Sequence, residues 1–452
     1  MFRSNAPSRQ APLAAEAITR RPTSRPGLLL PAWSVALLLA VPWPAAAEVD
    51  STTPGATLES LLALARERHP ELRVMQLEAE AAAQRVGPAG ALPDPMLGIE
   101  LRDATNEMTG GNLSLLPGRV GSTRYQLRQS FPAWGQRDAR RAAAQAGADE
   151  ASLRIGATWA DLALRVKTAY ARWQQVHATL AQLHEILALT NRFEAVAQAR
   201  YASALAPQQD AIRAQVERTG VATEIALLEA DQASLRVRIN GLLARPAHAA
   251  LAAPLGDSAL APPPVPARLD ATALRERVLA RNPQLAVEEA RVRAAQKNKD
   301  VVWSNRYPTF TVGVAPVQTR KRISEWELMF EINIPLQQAT RRADESQAQA
   351  MLAAAQARKE TAANELLALL GEQIAALEAA RQVESITQTS LLPQASLTLQ
   401  AALAGYETGK LDFATVLEAQ RQVRSAQLNL IRTRAEARMR LAEIERLLGE
   451  EP

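Results

Sequence analysis

The chain has 452 residues, 47% hydrophobic and only 4% aromatic, with no Cys and a formal charge of +5. Ala and Leu carry most of the apolar share, which favours long helices and excludes a disordered chain or an ordinary all-β domain. Without Cys there is no disulfide framework, zinc–thiolate site or cysteine nucleophile, and four His (His69, His177, His184, His248) leave little for histidine chemistry.

The basic excess belongs to the N-terminus. Residues 1–47 set five Arg against Glu16, so they hold +4 of the +5, which argues against a nucleic-acid partner. This segment is built like an export signal: basic as far as Arg25, apolar from Leu28 to Val41, then Ala45-Ala46-Ala47 before Glu48. The competing reading is a retained anchor, but Pro31, Pro42 and Pro44 interrupt the helix and no basic flank follows. After residue 47 there is no run of about 18 apolar residues, so no transmembrane helix is expected. The mature chain is expected to leave the cytoplasm without a Cys to lipidate.

From residue 48 the chain reads helix (Thr57–Ala91), two strands (about 95–103 and 122–131), long helix (Ala133–Arg200), turn, and returning helix (Gln208–Arg245). The long helix carries Trp159, Leu162, Val166, Ala169, Trp173 and Val176 in alternating steps of three and four. That seam demands a helical partner along its length, roughly 100 Å at 1.5 Å per residue. A Pro-rich linker, residues 253–269, then separates this first repeat (48–252) from a second (270–452). The second runs in the same order: helix Thr272–Arg306, strands about 308–316 and 325–334, long helix Leu336–Ala404 with Pro393 as a kink, turn, and helix Asp412–Gly449.

The duplication rests on ordered matches. His69-Pro70-Glu71-Leu72 pairs with Asn282-Pro283-Gln284-Leu285 at an offset of 213, and Ser130-Phe131-Pro132 with Asn333-Ile334-Pro335 at 203. Tyr201 pairs with Tyr406 and Leu242-Leu243 with Leu447-Leu448, both at 205.

The strands alternate. Trp326, Leu328, Phe330 and Ile332 place apolar groups on one face, expected to meet lipid, while Glu325, Glu327 and Glu331 take the other, expected to face a barrel lumen. Period two alone fits a soluble sheet packed on a helix equally well. Export and the lack of any other membrane element favour transmembrane strands. Four strands cannot close a barrel, and an open edge is not viable in lipid, so the chain is expected to pool strands with other copies; three copies give twelve.

At this point the residues resemble a family. The duplicated plan, with Leu92-Pro93-Asp94-Pro95, Arg306-Tyr307-Pro308 and Gly405-Tyr406-Glu407-Thr408-Gly409-Lys410, resembles the TolC-type outer-membrane channels of efflux pumps. The stretches Leu101–Asn106 and Leu205–Arg213 are similar to its heavy-metal-resistance branch, which serves copper–silver or cobalt–zinc–cadmium export. The resemblance implies a mainly α, internally duplicated fold whose long coiled helices form a periplasmic α-barrel. It implies a homotrimer with a 12-stranded barrel among outer-membrane lipid, a periplasmic adaptor (membrane fusion) protein, and a proton-driven inner-membrane RND pump. Drug efflux or type I secretion by the same fold is the alternative, and a soluble periplasmic coiled-coil adaptor a more distant one.

The two turns are expected at the periplasmic tip. Tyr201, Ala204, Leu205 and Pro207, with Tyr406, Gly409, Lys410 and Leu411, would contact the adaptor, or simply reverse the helices. Ala204 stands where the second turn has Gly409, which puts the first turn's backbone in question. Asp210 and Asp412 would form carboxylate rings at the entrance, or serve as a first-turn residue and an N-cap. His177 and His184, seven apart, are too far for a zinc pair on one helix, and the Met residues are scattered. No enzyme signature, cofactor motif or metal site is present, so no chemistry of its own is expected.

Overall fold

The structure is a computed structural model that describes residues 53–105, 112–254 and 270–450; the expected signal segment and most of the Pro-rich linker lie outside these residues. The first repeat contains α1 (Leu58–Arg68), α2 (Pro70–Gln84), α3 (Val86–Ala89), β1 (Met96–Arg102), β2 (Ser122–Phe131), α4 (Gln136–Ala202) and α5 (Gln208–Leu242). The second contains α6 (Ala271–Arg281), α7 (Pro283–Ser304), β3 (Thr309–Thr319), β4 (Arg322–Asn333), α8 (Gln338–Ile386), a π-helical segment (Thr387–Leu391), α9 (Leu392–Glu407) and α10 (Phe413–Leu448). The expected mainly helical, duplicated plan with four strands is what the chain forms.

Two expected helices are broken, each at the same place in its repeat. The span Thr57–Ala91 divides at His69-Pro70, and Thr272–Arg306 at Asn282-Pro283. Proline lacks an N–H and suits the first position of a new helix. The residue before it caps that helix: His69 Nδ1 accepts from the Glu71 N–H at 3.3 Å, and Asn282 Oδ1 from the Leu285 N–H at 3.1 Å. Asn282 is buried and also donates to the Leu447 carbonyl at 2.9 Å, fixing α10 against the joint.

The α4 seam is buried as its spacing predicts. Leu162, Val166, Trp173, Val176, Leu180 and Leu183 pack with Leu61 and Leu72 above and Val221, Ile225 and Ile239 of α5 alongside. Each fully buried Leu contributes on the order of 2–3 kcal/mol. The second repeat builds its own core from Val278, Leu370, Leu377, Ile444 and Leu447. A third cluster, at the turn end, draws on both repeats.

The four strands form one antiparallel sheet in the order β1-β2-β3-β4. Two hairpins, one per repeat, join through β2 and β3, where Phe131 lies opposite Phe310.

Candidate functional site

Register assigns the faces of the sheet. Leu97 and Ile99 lie opposite Leu127 and Tyr125; Leu127 lies opposite Val314; Val314 and Val312 lie opposite Leu328 and Phe330. Side chains opposite each other share a face, so Trp326, Leu328, Phe330 and Ile332 belong to one continuous apolar surface across all four strands. All four are exposed, Leu328 to 86%.

The other face is polar but not uniformly acidic. Glu325, Glu327 and Glu331 share it with Glu100, Arg102 and Arg124. Arg124 Nη1 lies 3.4 Å from Glu100, and its other terminal nitrogen pairs with Glu327. This bridge passes over β3, where the register sets Val317 opposite Arg124 and the small Ala315 opposite Glu327. Farther along the same face, a Cβ on Gly313 would lie 3.1 Å from Arg128 and 3.2 Å from Met329, so the glycine leaves room for those two side chains. The Arg124 bridge leaves Glu327 charge-compensated.

At the far end the two turns are alike. Ala204 and Gly409 both adopt positive φ, 56° and 74°. In the first, Ala204 N–H donates to the Tyr201 carbonyl at 2.9 Å and Leu205 N–H to that of Arg200 at 2.8 Å; in the second, Gly409 donates to Tyr406 at 3.1 Å and Lys410 to Gly405 at 2.8 Å. Both are Schellman closures. The alanine therefore follows the glycine's path and bears the left-handed strain itself. Tyr201, Leu205, Lys410 and Leu411 are exposed, as is Pro207, which precedes α5. Leu411 packs on Gly405, where a Cβ would meet its Cδ1 at 2.5 Å.

The matched tyrosines diverge. Tyr201 is 46% exposed, whereas Tyr406 is 7% exposed, with its ring centroid 5.4 Å from that of buried Phe413. The Arg200 guanidinium of α4 lies 4.5 Å over the Tyr406 ring, and its Nη1 donates to the Tyr406 carbonyl at 3.1 Å. Burial pushes the Tyr406 hydroxyl above its ordinary pKa, against the pull of Arg200.

Asp210 and Asp412 differ in the same way. Asp210 is buried; loss of solvent raises its pKa, Arg213 and Arg200 oppose this, and Asp412 adds to it. Asp412 is exposed and caps α10, accepting from the Thr415 hydroxyl at 2.5 Å and N–H at 3.0 Å, which holds its carboxyl below the usual range. Above the tip, Glu217 of α5 binds Arg421 and Arg424 of α10 at 2.6 and 3.3 Å, and Gln420 donates to Thr190 at 2.9 Å.

Arg200, Arg213 and Phe413 were not among the expected site residues. Phe413 follows the cap Asp412, the one place where a sequence signal pointed to it. Among the described residues no group of three or more His, Asp or Glu is placed to hold a metal ion, and no helix is long and apolar enough to cross a membrane.

The outer membrane efflux protein family matches residues 61–247 and 274–450, one span in each repeat. Among solved structures, CusC superposes with a TM-score of 0.74 at 17% identity, covering 87% of this chain and 92% of CusC; its structures concern folding and transmembrane channel formation. A membrane protein from Pseudomonas aeruginosa gives 0.73 at 19% identity, covering 88% and 91%. The outer membrane protein VceC of Vibrio cholerae gives 0.71 at 16%, covering 87% and 96%. No curated protein matches the sequence.

Proposed function

The chain belongs to the outer membrane efflux protein family, and from that premise we propose that it is the exit duct of a tripartite, proton-driven pump for heavy-metal cations. An efflux channel performs no bond chemistry; its function lies in its wall, its tip and its partners. The observation that carries the reading is the sheet, with one continuous apolar face, one charge-paired face and two outer strands, β1 and β4.

In lipid every backbone polar group needs a partner. Two bare edges are therefore closed by further copies, and three copies make a 12-stranded barrel with Arg124, Glu325 and Glu331 toward the water-filled lumen. The helices continue this duct into the periplasm. Exposed Tyr201, Leu205 and Leu411 offer the adaptor an apolar contact. Opening requires α9 and α10 to part from α4 and α5, so Arg200 must leave the Tyr406 ring and Asp210 must gain water. Asp412 is the better placed of the two carboxylates to ring the entrance.

The metal cargo is read from the similarity of Leu101–Asn106 and Leu205–Arg213 to the heavy-metal branch. Choice of ion falls to the pump. The test is growth of a deletion strain across silver, copper, zinc, cobalt and cadmium, with a hydrophobic drug as control. Sensitivity to metals alone is expected; sensitivity to the drug alone would keep the channel and overturn the cargo.

A further inference from the structure

Resting on the channel reading, we propose that the junction between sheet and helices is a docking collar for anionic phospholipid, gripped by arginines in the first two turns of α4 and α8. All four strands end here: β1 begins at Met96, β2 ends at Phe131, β3 begins at Thr309 and β4 ends at Asn333. Just beyond that level large apolar groups stand in solvent. Trp134 is 100% exposed and Leu336 80%, and Trp303 and Tyr307 are also exposed. Trp134 precedes Gly135, whose φ of 79° turns the chain into α4. Trp and Tyr join an apolar body to a polar tip, and such side chains settle at a membrane–water boundary.

Immediately past this band both repeats gather arginines. α4 opens with Gln136-Arg137-Asp138-Ala139-Arg140-Arg141, and α8 with Gln338-Ala339-Thr340-Arg341-Arg342. The start of a helix is the positive end of its dipole, which Asp138 suits in α4, whereas the first turn of α8 holds no acidic residue. Arginine pairs thus recur in the first two turns of both helices, Arg140-Arg141 in α4 and Arg341-Arg342 in α8. Arg140, Arg141 and Arg342 are exposed, while Arg137 donates to the Gly90 carbonyl at 2.8 Å and Arg341 to that of Asn305 at 3.3 Å. Asp138 and Asp344 lie among them, and Glu345 is taken up by Arg306, which stacks 3.4 Å over Trp303. Apolar groups followed within two turns by guanidinium groups reproduce the profile of a leaflet edge, acyl chain then phosphate. Guanidinium groups bind phosphate oxygens in pairs. Continuity with the apolar sheet face favours a phospholipid headgroup over free phosphate.

The test uses the full chain, purified in detergent, with bound lipid counted by native mass spectrometry after mixing with phosphatidylglycerol and phosphatidylcholine. Wild type should retain phosphatidylglycerol in preference by on the order of fivefold. A variant carrying Arg140→Gln, Arg141→Gln, Arg341→Gln and Arg342→Gln should still insert into vesicles but bind both lipids alike. Equal retention by wild type, an unchanged preference in the variant, or displacement of the lipid by an equal concentration of inorganic phosphate would each overturn the collar. If the variant does not insert, the wild-type lipid ratio decides alone. Failure of wild type to insert into any vesicle would overturn the channel reading instead.

Discussion

The two repeats share an order of elements and differ in how they are used near the tip. In the first, α4 runs 67 residues without interruption; in the second the same course is divided into α8, five residues of π-helix and α9. At the offset of 205, Pro393 falls on Ala188, and buried Phe413 on exposed Gln208. Duplication has kept the backbone path and reassigned the side chains. The second repeat supplies the aromatic core of the tip and a joint above it, since a π turn followed by proline is where a helix bends. The first supplies a straight rod, with Arg200 and Asp210 set against that core. At the joint, Arg434 holds Glu384 at 2.7 Å and Gln388 at 3.4 Å, so α10 ties the end of α8 to the π segment.

Where the repeats are most alike, in the strands, damage should be equal and largest. Leu328→Asp with Phe330→Asp should cost on the order of 2 kcal/mol per site in mid-membrane and block insertion. Leu97→Asp with Ile99→Asp should do the same from the first repeat. Heat-resistant oligomers on gels from either variant would overturn the assignment of the apolar face to lipid. At the tip the repeats should separate. Phe413→Ala should lower stability by about 3–4 kcal/mol, whereas Gln208→Ala should stay within about 0.5 kcal/mol, both read from denaturation midpoints.

The long helices offer a reciprocal exchange. Ala188→Pro should cost about 3 kcal/mol by breaking α4, while Pro393→Ala should be tolerated and straighten the second course. The signature is slower amide exchange across Thr387–Leu391 in the second variant only. A smaller effect is expected at the turns: Ala204→Gly should stabilise by about 1 kcal/mol and Gly409→Ala destabilise by a similar amount, since both positions are left-handed.

The smallest effect concerns pH. The Asp412 carboxyl is held low, so its contribution is present above the unfolded carboxylate value and is lost as pH falls through its folded value. The Asp210 carboxyl is held high, so the folded state loses stability as pH rises from the unfolded value through the folded one. Asp412→Asn should flatten the acid side of the pH dependence of amide exchange in the first turn of α10. Asp210→Asn should remove the opposing slope, raising protection at neutral pH.

Much of this plan is legible in the chain because its periods are long. A three-four seam sustained over α4 leaves one burial solution, and alternation in β4 allows one assignment of faces. The breaks at His69-Pro70 and Asn282-Pro283 are harder to see, because apolar spacing continues on both sides while a single cap and a proline restart the hydrogen bonding. Ala204 conceals its geometry: the Schellman bonds, not the side chain, impose positive φ. The pairing of Arg124 with Glu327 spans 203 residues and depends on the register of three strands and the smallness of Ala315. Asp210 is buried within electrostatic reach of Tyr406 and Arg200, and no local pattern reports that approach between repeats.

The outer strands of the sheet are unequal, seven residues in β1 and twelve in β4. When the edge of one copy is the template for the next, membrane entry becomes a matter of mass action: a lone chain has nowhere to place its edge groups, and each added copy completes a neighbour. The melting temperature of the assembled protein should then rise with chain concentration. In the proposed barrel β4 of one copy pairs with β1 of the next, and the register of that pairing sets the stagger that fixes strand tilt in a closed barrel. How two unequal strands of one chain meet across that proposed seam thus sets the pitch of the whole wall.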